Sequence, residues 1–205
     1  MKKVVLISIG GAFILGAIYL ITAQSKGRTI IPTAEKIFDS MQEKQNESLP
    51  HLENPHIIVK KKQRKLELHD GKKLIKTYNI GLGFTPVGDK EIKGDGKTPE
   101  GEFYIFTKNA KSRFYLSLGV SYPSVEDAER GLREKLISKK ERDAIVKAIN
   151  EKKTPLQNTK LGGEIYIHGG GALNDWTQGC VALANEDIKE LFDALPTGIK
   201  VKIEP

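Results

Sequence analysis

From Ile57 onward the apolar residues recur at every second position, and this period commits the chain to extended backbone before any motif is considered. Leu66 and Leu68 alternate with polar residues, and Asp70-Gly71 then supplies a tight-turn dipeptide. Beyond it Leu74, Tyr78, Ile80 and Leu82 fall on one face of the next run. The spacing predicts an antiparallel meander at the start of a globular body. In SRFYLSLGVSYP, residues 112 to 123, the same alternation puts Phe114, Leu116 and Leu118 on one face and Arg113 and Tyr115 on the other.

The period changes between Ser124 and Lys153. Ser138 and Glu141 have capping-box spacing, and Ala144, Ile145, Ala148 and Ile149 form a stripe at helical intervals. A helical insert over about 124–153 follows, acting either as a lid over a cleft or as a charged face bathed in water. EIYIH then reads as a strand, and DIKELFDALPTGIKVKI as a closing helix and strand. Gly96-Lys97-Thr98 resembles the end of a phosphate-binding loop. Glu91 stands where that loop needs glycine and Pro99 blocks its helix, so nucleotide binding is excluded.

Ahead of the body, VVLISIGGAFILGAIYLITA at 4–23 is an uncharged run of the length a membrane-spanning helix needs, about 20 residues. Residues 1–23 are therefore expected to be a transmembrane anchor, or a signal segment cleaved to release the rest. Residues 24–55 read as a polar tether, with Ile37, Phe38 and Met41 on one face of a short helix, and 56–205 as the body. This organisation places the body outside the cytoplasm, held at the inner membrane or secreted to the periplasm or wall. The net charge of +7 suits an anionic surface such as lipid headgroups or wall polymer. KKKQRK at 60–65 lies within a strand pattern without interleaved aromatics, which argues against nucleic acid as a partner.

Cys180 is the only cysteine in the chain, so it has no intramolecular partner and is either an intermolecular bridge or a free reactive thiol. His168, at the end of EIYIH, points to the face opposite Ile165 and Ile167. Gly169, Gly170 and Gly171 follow it and let the backbone turn sharply and approach a ligand closely. A histidine near the thiol can accept its proton, and Gly179 leaves room for backbone N–H groups to face a developing oxyanion. A buried structural cysteine and histidine would fit the same spacing. Asn185, with Glu186 and Asp187, has the pattern of an N-cap and acidic first turn. Asp175 suits a turn brace, and Trp176 suits packing against the loop or stacking on a sugar. One cysteine and one histidine fall short of the three ligands of a metal site unless Asp175 joins them, and no HExxH or CxxC pattern is present.

GDGKTPEG, SRFYLSLGVSYP, IHGGG and DWTQGCVALANEDI, in this order, resemble the L,D-transpeptidase (YkuD-type) catalytic domain of bacterial cell-wall enzymes. The resemblance spans about residues 56 to 204. It implies a mainly β (α+β) sandwich or barrel carrying the helical insert, with no metal or organic cofactor. It further implies Cys180 as nucleophile, His168 as its base, Gly179 and the Cys180 amide at the oxyanion, and Thr177 shaping the loop. The expected substrate is the peptide stem of peptidoglycan, with release of D-alanine and transfer of the acyl group to an amine.

Two positions depart from the common family form, in which SHGC is followed two residues later by arginine. Gln178 stands for that histidine and Ala182 for that arginine. Arg113 and Tyr115, with Gly169 and Trp176, are candidates to bind substrate in its place. The DWTxGC form also resembles a branch related to proteins that cut peptides as well as join them. A hydrolase releasing stem residues or a wall-attached protein is therefore a second expectation, and a non-catalytic wall-binding module a third.

Overall fold

The computed structural model describes residues 49–205. The apolar run at 4–23 and the short helix expected after Thr33 lie outside these residues, as does most of the tether. No helix among the described residues is long and apolar enough to cross a membrane.

Period-two patterning does produce the opening meander. Strands β1 (Pro55–Lys60), β2 (Lys65–Asp70) and β3 (Lys73–Asn79) pair antiparallel in sequence order. The β2–β3 register shifts between Leu68 and His69, pairing Leu68 with Lys76 and His69 with Leu74, so Ile75 is the extra residue of a bulge. The extra residue exchanges the faces of the strand beyond it. Leu74, expected inside, is 49% exposed, and Ile75 packs on the core in its place.

β4 (Gly101–Ser112) and β5 (Tyr115–Val120) form the next hairpin, followed by β6 (Tyr166–His168), β7 (Val181–Ala182) and β8 (Lys200–Glu204). The strand order is β3-β2-β1-β8-β4-β5-β6-β7. The last strand thus enters the middle, parallel to β1 and antiparallel to β4. Its alternating Val201 and Ile203 join Ile57, Val59, Leu66 and Leu68 in one core. The sheet curls until its far edges meet just beyond β3. There Gly81 N–H donates to Ala182 O at 2.9 Å and Ala182 N–H returns a bond to Gly81 O at 2.8 Å. The result is a mainly β, curled sheet with a few helices.

Helices α1 (Val125–Arg133) and α2 (Lys139–Asn150) follow β5, each opened by a complete capping box, Ser124 with Asp127 and Ser138 with Glu141. They share a small second cluster of Ala128, Ile137, Ile145 and Leu161. Val146 and Ile149 support it, whereas Ala144 of the expected stripe is exposed. Helix α3 (Asn185–Ala194) buries Ile188 and Leu191 against the main core. Its N-cap is Ala184, with no side-chain cap bond, so Asn185 is released from the capping role its type suggested.

Candidate active site

Strand β6 delivers His168 and the loop before β7 delivers Cys180, and parallel pairing of β6 with β7 holds the two strand ends in register. Both residues line a cleft of about 270 Å³, together with Lys90, Arg113, Phe114, Glu164, Trp176 and Thr177. A larger cavity of about 430 Å³, between the β1/β8/β4 face and the helical insert, contains none of the candidate catalytic or substrate-binding residues. Helices α1 and α2 border that larger cavity. The segment after α2, through Gln157 and Gly162 to Glu164, is the part of this region that borders the Cys180 cleft.

His168 is buried, and its Nδ1 lies 2.6 Å from Gly169 O. A carbonyl only accepts, so Nδ1 carries the proton and the neutral ring keeps Nε2 as its free basic nitrogen. Burial holds this imidazole below the usual histidine range, against the Gly169 hydrogen bond, and the Arg113 guanidinium acts in the same downward direction. Gly169 is fixed in turn. Its N–H donates to Leu116 O at 3.2 Å, and a Cβ there would come within 2.5 Å of Asn185 Oδ1. The same Asn185 oxygen accepts from Gly170 N–H at 2.9 Å, so the side chain expected to cap a helix holds the glycine turn beside the histidine.

The Cys180 thiol donates to Glu164 O at 3.5 Å and accepts from Tyr166 N–H at 3.4 Å. Burial pushes the thiol up to about 11, with the Tyr166 bond opposing; the Glu164 carboxylate raises it further, and Lys90 and Arg113 lower it. At neutral pH the resting pair is thus a neutral thiol and a neutral imidazole. Gly179 adopts φ +132°, and a Cβ on it would sit 2.6 Å from Lys97 O. Its N–H donates to Thr177 Oγ1 at 3.1 Å, and Thr177 donates that hydroxyl to Cys180 O at 2.8 Å. This closes the loop around the thiol and commits the Gly179 N–H. The Cys180 N–H has no acceptor among the described residues and is the donor left to face an oxyanion.

Arg113 borders the cleft and has no carboxylate partner among the described residues. Tyr115, proposed beside it, is 45% exposed and does not line the cleft. The reason is local: Ser112 pairs with Tyr115, so Arg113 and Phe114 form the two-residue turn of the β4–β5 hairpin and strand alternation does not reach them. Phe114, expected on the Leu116 and Leu118 face, turns instead onto His168 with ring centroids 4.5 Å apart. Trp176 meets both rings edge-on, at 5.4 Å from Phe114 and 5.6 Å from His168, and its Nε1–H donates to Gly171 O. Asp175 accepts from Leu82 N–H at 2.9 Å and is gripped by Arg64. Among the described residues no cluster of three metal-ligating side chains occurs.

Residues 54–203 match the YkuD L,D-transpeptidase catalytic domain. The chain belongs to this L,D-transpeptidase family. Among solved structures it is similar to the helical cell shape determining protein Pgp2 of Campylobacter jejuni, in a mutant and an unmutated form. Identities are 25% and 23%, TM-scores 0.51, with 80% and 81% of this chain and 52% and 54% of those chains covered. A Bdellovibrio bacteriovorus protein, Bd1075, is 21% identical at TM-score 0.48, covering 77% of this chain and 52% of that one. The chain spans about half the length of these structures. No curated protein sequence matches it.

Within this L,D-transpeptidase domain position 182 serves the closure of the sheet. Ala182 is fully buried and its backbone is spent on Gly81, closing the sheet. Positive charge reaches the cleft from elsewhere, through Lys93 and Arg113. Phe114, Glu164 and Tyr166 are the neighbours of the pair that residue patterns did not reveal. The first was hidden by a turn, and the other two hydrogen-bond the thiol through backbone groups, which carry no residue-type signal.

Proposed function

We propose that this protein is a cysteine L,D-transpeptidase acting on the peptide stems of peptidoglycan. The observation that carries the reading is the placement of Cys180 and a neutral, tautomer-fixed His168 on one cleft, with the Cys180 N–H unspent. The thiol leaves its contact with Glu164 O, gives its proton to His168 Nε2, and attacks the carbonyl of the third stem residue, a diamino acid. The tetrahedral oxyanion faces the Cys180 N–H. As the C–N bond to the terminal D-alanine breaks, His168 returns the proton to the departing amine. An amine of a second stem then attacks the thioester, passes its proton to His168 and leaves a 3,3 crosslink; the sulfur departs as thiolate and recovers that proton. Arg113, which lines the cleft without a carboxylate partner among the described residues, is suited to a substrate carboxylate in place of the arginine that position 182 lacks.

The body acts outside the cytoplasm in this reading, with the apolar run at 4–23 as its membrane anchor. Similarity to a cell shape determining protein supports a role in wall remodelling. The test is intact-protein and product mass spectrometry of the full chain with disaccharide tetrapeptide, and Cys180→Ala as control. Cys180-dependent loss of alanine with crosslinked dimer is the expected result. Tripeptide without dimer would assign water as the acceptor and make the protein a carboxypeptidase. No adduct at Cys180 and no product would overturn catalysis on this donor.

A further inference from the structure

The turn Arg113-Phe114 brings an aromatic ring and a guanidinium up to the proposed base. The Phe114 and His168 rings lie 4.5 Å apart with an interplanar angle of 20°, and Arg113 Cζ lies 4.7 Å from the Phe114 centroid. The imidazole and the guanidinium thus both rest against the Phe114 ring. Trp176 closes one edge of the assembly, and the Nδ1 bond to Gly169 O closes another. The imidazole therefore has little freedom to rotate about χ2, and Phe114 shields one of its faces from water.

We propose that Phe114 is a positioning residue for His168: it fixes the plane of the imidazole and shields one of its faces, with the Arg113 guanidinium resting on the same Phe114 ring, so that Nε2 is ready to take the thiol proton. The inference rests on the catalytic reading above for its purpose, though its physical content concerns the histidine alone. Protonating His168 would bury a cation near the Arg113 guanidinium, and the stack disfavours this through desolvation and like-charge repulsion. The other charged or titratable groups that share the cleft are Lys90 and Lys93 from the segment before β4, Glu164 before β6, and Cys180 itself. Lys90 is neutralised by Asp95 at 2.7 Å, and Arg113 is the cation whose charge acts on the His168 ring.

The experiment is a proton titration of the His168 ring by heteronuclear NMR on the full chain without substrate, assigned with a His168→Gln spectrum. It compares Phe114→Leu, Phe114→Tyr and Arg113→Met with the parent. In Phe114→Leu water reaches the imidazole, so its titration midpoint moves to higher pH; Arg113→Met moves it the same way by removing repulsion; Phe114→Tyr keeps the stack and stays near the parent. Because a base works only when neutral, the acid limb of kcat/KM follows, and Phe114→Leu loses about tenfold to hundredfold at mildly acid pH and less at alkaline pH. An unmoved midpoint in both Phe114→Leu and Arg113→Met, or equal behaviour of Leu and Tyr at 114, overturns the proposal. If the midpoints move as stated while no stem peptide is turned over, the transpeptidase reading fails and the stack stands.

Discussion

Thr177 donates its hydroxyl to the carbonyl of Cys180 at 2.8 Å while accepting from Gly179 N–H at 3.1 Å, so one buried side chain sets the curvature of the loop that carries the thiol. Replacing it with valine conserves shape and removes both bonds. An unpaired buried polar group costs about 1–3 kcal/mol. Thr177→Val is expected to lower the denaturation midpoint and to cut turnover by about tenfold or more, with Thr177→Ser restoring most of both. Equal turnover in all three proteins would show that the loop holds its shape without this hydroxyl.

Gly179 offers a sharper case. Its φ of +132° disfavours any side chain, and the space a Cβ would need is occupied by Lys97 O at 2.6 Å. Gly179→Ala should therefore be destabilised by about 1–3 kcal/mol from backbone strain alone. Its remaining folded fraction should have lost most activity, since the Cys180 N–H is displaced with the loop. Chemical denaturation with activity normalised to folded protein separates the two effects, and a variant of parental activity per folded molecule would argue against an oxyanion role for this amide.

Alkylation tests the resting protonation state. A thiol pushed up to about 11 by burial is almost entirely protonated at neutral pH. Reaction with iodoacetamide should be slower than for a free cysteine, whose ordinary pKa is about 8.5, by a few tens of fold, the loss of thiolate being partly offset by the greater nucleophilicity of a high-pKa thiolate. The rate should climb with pH through the alkaline range. As Cys180 is the only cysteine, the signal is unambiguous. A rate plateau already reached below neutral pH would reveal a thiolate–imidazolium pair and contradict the neutral thiol and imidazole.

The legible parts of this fold are those whose signals are local. Alternation at Leu66 and Leu68 with Asp70-Gly71 marked the meander, and Ser138 with Glu141 marked a helix start. The central position of β8 was illegible, because its parallel pairing with β1 joins residues from opposite ends of the domain and leaves no mark in either segment. The bulge that exchanges Leu74 for Ile75 was hidden for a related reason: one extra residue in a ladder is visible only once the partner strand is known. At the site, residue type and spacing found Cys180 and His168. Strand parity misplaced Phe114 because it was carried two residues into a turn, and the helix-cap preference of asparagine concealed the bond from Gly170 to Asn185.

Lys61 shows how a buried charge secures the segment that leads into β4. Its side chain is 2% exposed, and Nζ donates to Gly88 O at 2.6 Å, Thr98 O at 2.8 Å and Glu100 Oε1 at 2.7 Å. Lys61→Met would strand one carboxylate and two carbonyls. Breaking a buried pair in this way costs about 3–5 kcal/mol, and the partial exposure of Glu100 puts the expected loss toward the lower end. Urea denaturation reads this directly; a loss under about 1 kcal/mol would mean that water replaces the ammonium at little cost.

Asp175 loses solvation on burial, but hydrogen bonds from Arg64 and from Leu82 N–H outweigh that penalty and hold its carboxyl below the usual carboxylate range. A group whose folded pKa is depressed adds stability above its unfolded pKa, about 3.9 for aspartate, and loses it as pH falls through the folded value. Asp175→Asn keeps an oxygen for Leu82 N–H and discards the charge. The variant should be less stable than the parent at neutral pH by about 1 kcal/mol, since Arg64 is partly exposed and the pair is screened. The two proteins should converge in strong acid, once the parental carboxylate is protonated. Because Asp175 ties the loop before Trp176 to the end of the meander, turnover should fall with the same pH dependence. A difference in stability that stays constant from neutral to strongly acid pH would show that the side chain braces the turn by shape and not by charge.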